Sequence, residues 1–136
     1  MLYLVRGIPG SGKSTYAKRL GCLVVEADMY QVRNGQYDYD HSRVGAAHDW
    51  CFNMAKMAMD NGFDVAVANT FAHYKFLDPY IQYANLHKVP FKIIKCVGKF
   101  GTIHPVPEKV INTMRDTWED MPPFITEEVA DDKSQA

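Results

Sequence analysis

The sequence predicts an α/β domain, a parallel β-sheet of about four strands with helices on both faces. Three observations predict it. The run from Gly7 to Ser14 fits the phosphate-binding pattern G-x-x-x-x-G-K-S/T at every fixed position. Short apolar runs alternate with longer stretches of three- and four-residue apolar periodicity, the mark of strands connected through helices. The 136 residues, 47% apolar and 23% charged, suit one globular core of ordinary composition.

The elements follow in order. Residues 2–5 are apolar and sized for a buried strand, and 15–20 have the composition of a helical turn or two. Residues 22–25 read as a second strand, ending at Glu26, Ala27 and Asp28. Residues 31–40 are a polar loop with Asn34-Gly35 as its turn signal. Over 42–61, Val44, Ala47, Cys51, Met54, Ala55 and Ala58 recur at helical spacing, and Asn61-Gly62 caps the end. Residues 65–68 form a third strand, ending at Asn69-Thr70. A helix over 74–87 places Phe76, Leu77, Tyr80, Ile81 and Ala84 on one side. Residues 91–97 are a fourth strand. A last helix over 107–121 has Val110, Ile111, Met114, Trp118 and Met121 as its inner face, with Pro107 favourable at its start. The domain is expected to span 1–121, followed by an acidic, mobile tail over 122–136.

Parallel sheets bind ligands at the carboxyl ends of their strands, which singles out the residues just after each strand. The loop of Gly7, Ile8, Pro9, Gly10, Ser11, Gly12, Lys13, Ser14 and Thr15 has what a nucleotide triphosphate needs. Glycines let backbone N–H groups converge on phosphate oxygens, and a helix N-terminus adds partial positive charge. Lys13 is expected to reach the β- and γ-phosphates, and the Ser14 hydroxyl to ligate Mg²⁺. Asp28 closes the second strand, where an acid can take the proton of an attacking hydroxyl. A helix cap or a solvated loop acid is the plainer reading of the same residue. Asp38 and Asp40 read as solvated or capping residues. His48 reads as a packed or capping residue with one side open to the site. The third strand ends without an acid, at Ala68 and Asn69. Asparagine can orient a water but brings no charge, which leaves metal binding to Ser14 and the phosphates. The stretch 97–107 reads either as a plain connection or as a lid whose cations are Lys99 and His104.

The formal charge is −1, with no sign of a strongly basic nucleic-acid binder. The last eleven residues carry −3 and residues 1–125 carry +2, so a mildly basic body precedes an acidic end. Cys22, Cys51 and Cys96 are odd in number with no C-x-x-C pair. Reduced core thiols in a cytoplasmic protein are the expected reading. No membrane-length apolar run is present, and no signal peptide is expected before the first strand.

Several segments together resemble the polynucleotide-kinase-like P-loop kinases, including the 5′-kinase domain of phage-type polynucleotide kinase, and small ATP-binding proteins labelled AAA-type ATPases. They are residues 6–17, 26–30, 35–50 and 65–70, with a weaker echo over 106–114. The resemblance implies a P-loop NTPase-type three-layer sandwich. It implies an ATP-dependent kinase that moves the γ-phosphate to a hydroxyl, typically a nucleic-acid 5′-OH. Lys13 and Ser14 match the family's phosphate and Mg²⁺ residues, and Asp28 its general base. The chain departs from the family in three places. Gln31 stands where an arginine often follows the base, with Arg33 two residues on. The acid after the third strand is missing. The lid is short, with Phe100-Gly101 where arginine is expected, leaving Lys99 to act on the transferred phosphate. The function expected is transfer from Mg-ATP to a polynucleotide 5′-OH, nucleoside or nucleotide. A nucleotide-binding regulatory module and a small-molecule kinase are the rivals.

Overall fold

A computed structural model describes residues 1–99 and 106–131. Its centre is a five-stranded parallel sheet, built from β1 (Leu2–Arg6), β2 (Leu23–Val25), β5 (Val65–Ala68), β6 (Phe91–Cys96) and β7 (Glu127–Ala130). Their spatial order is β2-β5-β1-β6-β7. A separate two-stranded hairpin, β3 (Val32–Arg33) and β4 (Gln36–Tyr37), turns through Asn34 and Gly35, both at positive φ. The Asn-Gly signal thus marks a hairpin turn of the kind that needs left-handed residues.

Helices cover both faces, as expected. On one face α2 (Val44–Asp60) and α3 (Tyr74–Leu86) bury Ala47, Cys51, Ala55, Leu77, Tyr80 and Ile81 against Leu2, Leu4, Val65, Val67 and Ile93. On the other, Ala17 of α1 (Lys13–Arg19) joins Val5, Ala66, Ala68, Ile94, Cys96 and Ala130. The alternation of Val65 and Val67 with Ala66 and Ala68 sorts by face, and the small residues are those that share a cluster with α1. Three residues expected inside point out: Met54, Phe76 and Val110 are exposed, while Met59 is buried.

The sheet carries a fifth strand beyond the four read from the sequence. Residues 122–131 do not form a loose tail; Glu127–Ala130 pairs with β6, from Ile93 opposite Glu127 to Cys96 opposite Ala130. The composition Glu-Glu-Val-Ala is poor strand material. Cations on the two neighbouring strands meet its acids: Arg6 of β1 bonds Glu127 at 2.8 Å and Lys92 of β6 lies 3.6 Å from Glu128. The last helix is also shorter than expected. α4 spans Glu108–Asp116, after which Glu119 donates its N–H to the Ala72 carbonyl and accepts from the Tyr74 N–H at the start of α3. Trp118 is therefore off the helix, stacked on the Arg6 guanidinium at 4.1 Å. No described helix is long and apolar enough to cross a membrane.

Candidate functional site

β1 delivers the chain directly into the glycine loop, and α1 begins at Lys13. Gly12 caps that helix at φ 93°, and Gly10 also lies at positive φ, a conformation glycine adopts without steric cost. Gly7 is required for a different reason. A Cβ there would stand 2.2 Å from Ser11 Oγ and 2.8 Å from the Cys96 carbonyl oxygen. The loop is tied to its neighbours by backbone bonds, Gly7 N–H to the Thr70 carbonyl at 3.2 Å and Gly98 N–H to the Ser11 carbonyl at 3.1 Å. It therefore rests on the ends of β5 and β6.

Lys13 folds back over the loop and donates to the Ile8 carbonyl at 3.2 Å. Burial lowers its ammonium below the ordinary lysine pKa, while Cys96, Glu26 and Asp28 act the other way. An anionic phosphate in the loop would relieve that desolvation. The Ser14 hydroxyl donates to Glu26 Oε1. Glu26 was not singled out as a site residue from the sequence. Its signal was available, since it ends a strand beside the phosphate loop.

Asp28 lies in a 3₁₀ turn, Ala27–Gln31, just after β2 and is exposed. The Tyr37 hydroxyl of the hairpin donates to it at 3.4 Å. Burial, then the Asp28 charge, pushes the Tyr37 phenol up to about 12. Gln31 is buried and structural. Its amide donates to the Asp40 carbonyl, and its Oε1 accepts from the Asp40 N–H and from Arg43 Nε. Arg33 stacks on Tyr30 and donates to the Tyr30 and Val32 carbonyls. Asp40 caps the turn before α2 through Ser42, whose hydrogen bonds hold its carboxyl below the usual range. His48 is exposed on α2.

Asn69 is committed to the fold. Its Oδ1 accepts from the Ala27 N–H at 2.8 Å, and its amide reaches Cys51 Sγ at 3.5 Å. Lys99 is exposed, one residue past the Gly98 anchor. His104 and Phe100-Gly101 lie outside the described residues.

The donor set suits Mg-nucleotide. The Ser14 hydroxyl and the Glu26 carboxylate it touches are hard oxygen ligands, and the buried Ser11 hydroxyl of the loop has no hydrogen-bond partner among the described residues. No group of three or more His, Cys, Asp or Glu residues among the described ones could hold a metal alone.

A parallel sheet with a glycine phosphate loop between β1 and α1 defines a P-loop kinase-like domain. Residues 2–99 match the family described as AAA domain, and the chain belongs to that family. Human NEDD4-binding protein 2 is 35% identical over 94 residues, covering 65% of this chain; the chain spans only 5% of that protein's length. Among solved structures, Kti12 of Chaetomium thermophilum in complex with ADP-AlF3 superposes with a TM-score of 0.68 at 14% identity, covering 99% of this chain and 93% of that one. A sugar kinase from Janibacter superposes with a TM-score of 0.65 at 17% identity, covering 96% and 84%. A chain of the Pnkp1/Rnl/Hen1 RNA repair complex superposes with a TM-score of 0.58 at 18% identity, covering 89% and 40%. These likenesses establish the fold.

Proposed function

We propose that this domain is a Mg-ATP-dependent phosphotransferase whose acceptor is a hydroxyl on a polynucleotide, nucleoside or nucleotide, acting in the cytoplasm. The observation that supports this reading is that Asp28 lies exposed in the turn just after β2, at the same carboxyl edge of the parallel sheet from which the glycine loop leaves β1. In this reading the loop amides and Lys13 hold the β- and γ-phosphates, and Ser14 holds Mg²⁺. Bound Mg²⁺ would supply charge neutralisation between the phosphates. The acceptor oxygen attacks the γ-phosphorus, the bond from that phosphorus to the β–γ bridging oxygen breaks, and ADP leaves. The acceptor proton passes to Asp28, which Tyr37 orients through its hydroxyl. The exposed hairpin that carries Arg33 and Tyr37 is the side from which the acceptor enters.

Labelled ATP offered with 5′-OH oligonucleotides, nucleosides, nucleotides and sugars tests this. Label on a polynucleotide or nucleoside hydroxyl, lost in Asp28→Asn, is the expected result. Label on a sugar alone would make the domain a small-molecule kinase. Tight Mg-ATP binding with no transfer would support the regulatory reading, which the missing lid arginines favour.

A further inference from the structure

We propose that Glu26 is the carboxylate of the Mg²⁺ site, carried on β2 because the neighbouring strand ends without an acid. The inference rests on the nucleotide-binding reading above. Val25 pairs with Val67, so Glu26 follows at the strand end beside Ala68. Ala68 offers no polar atom. Asn69 offers an amide, but both its ends are occupied, by the Ala27 N–H and the Cys51 thiol. Glu26 is the acid that touches Ser14, and the direction of that contact matters. A serine hydroxyl has one proton and two lone pairs. Giving the proton to Glu26 leaves both lone pairs for a cation. The same carboxylate brings a negative charge to a loop otherwise arranged for anions. That charge disfavours bare phosphate and favours phosphate carrying a divalent ion. Asp28 has a separate place, exposed and bonded by Tyr37. The two acids thus divide the work: Glu26 for the metal, Asp28 for the acceptor proton.

The test is binding of a fluorescent ADP, measured in Mg²⁺ and again in EDTA, with thermal melts to check folding. Wild type should bind more tightly in Mg²⁺. Glu26→Gln keeps an acceptor oxygen for Ser14 and removes only the charge. It should reduce the Mg²⁺ enhancement by about tenfold or more, the usual effect of losing a metal's carboxylate partner. In EDTA the same variant should bind ADP more tightly than wild type, a gain that loss of a merely structural contact would not produce. Glu26→Asp should retain most of the enhancement. Equal Mg²⁺ enhancement in wild type and Glu26→Gln would overturn the assignment and leave Glu26 as the hydrogen-bond partner of Ser14 alone. A folded wild type that binds no ADP in either condition would overturn the nucleotide-binding reading itself.

Discussion

Arg6 is the residue whose removal should do most damage to the fold. It is fully buried at the end of β1. Its Nε donates to the Phe71 carbonyl at 3.0 Å, and one terminal nitrogen donates to the Ala72 and Glu119 carbonyls at 3.4 and 2.7 Å. The other terminal nitrogen pairs with Glu127 at 2.8 Å, and Trp118 lies across the guanidinium. One side chain thus joins β1, the β5–α3 connection, the α4–β7 connection and β7. Breaking a buried ion pair from one side costs about 3–5 kcal/mol. Glu127 keeps 16% of its side-chain surface in water, which moves the expectation to the lower end. Arg6→Ala should therefore cost about 3 kcal/mol, a fall of roughly 10 °C in Tm for a domain of this size. Urea unfolding of Arg6→Ala, Glu127→Gln and the double variant measures both the cost and the coupling, which should reach about 1 kcal/mol or more. Replacing both partners by apolar residues should not recover stability, because the Phe71, Ala72 and Glu119 carbonyls would still lose their donor. A loss below about 1 kcal/mol in Arg6→Ala, or no coupling to Glu127, would refute the view that this arginine holds β7 in the sheet.

Other outcomes follow from the candidate site. Lys13→Ala should stay folded and lose transfer by about 2–4 kcal/mol in the transition state, read as kcat/KM of the labelled-ATP reaction; a folded variant with wild-type transfer would remove Lys13 from the site. Asp28→Asn should leave ATP affinity nearly unchanged and slow transfer roughly 10²-fold or more; collapse of ATP binding with transfer largely retained would make Asp28 a metal or structural residue. Tyr37 has a phenol pKa raised from 10.0 to about 12, so the folded state keeps a proton that the unfolded state has released. Its contribution to stability is full below pH 10 and is lost as the pH rises toward 12. Tyr37→Phe should make the alkaline decline in stability shallower, and an unchanged decline would contradict the shift.

The parts of this domain legible in the sequence are those set by local pattern. The glycine loop, the β1, β5 and β6 runs and the Asn34-Gly35 turn all signal through neighbours in the chain. What sequence reading missed is set by contacts across it. β7 is an acidic strand with weak propensity, and it joins the sheet through Arg6 and Lys92, far away in sequence. Arg6 itself looks like a charged residue flanking a motif, and only the fold shows four elements converging on it. Glu26 escaped for a related reason. Asp28 stands nearby as the more familiar acid, and the Ser14 contact that distinguishes Glu26 spans a strand, a loop and a helix. Trp118 fitted the helical period, but the helix stops at Asp116, where Glu119 turns to cap α3.

The stretch 97–107, expected as a lid or a plain connection, supplies a last test, in which the two function classes part. No arginine occurs between Arg43 and Arg115. The bidentate clamp that a transferred phosphoryl group would receive from a fork-shaped side chain must therefore come from elsewhere or be done without. Lys99 is the cation proposed to substitute; Gly98, one residue before it, is held to the Ser11 carbonyl. A lysine there acts as a point charge on a flexible stem, which should stabilise developing charge but orient it poorly. Lys99→Ala should then reduce transfer more than ATP binding, and Lys99→Arg should preserve or raise transfer, since a planar donor suits a planar phosphoryl group. Single-turnover transfer and ATP affinity, measured on all three proteins, separate the two effects. Equal transfer in wild type, Lys99→Ala and Lys99→Arg would remove Lys99 from the mechanism. Turnover would then depend on a cation from the acceptor or a partner, and a slow enzyme in isolation would be the consequence of an incomplete lid.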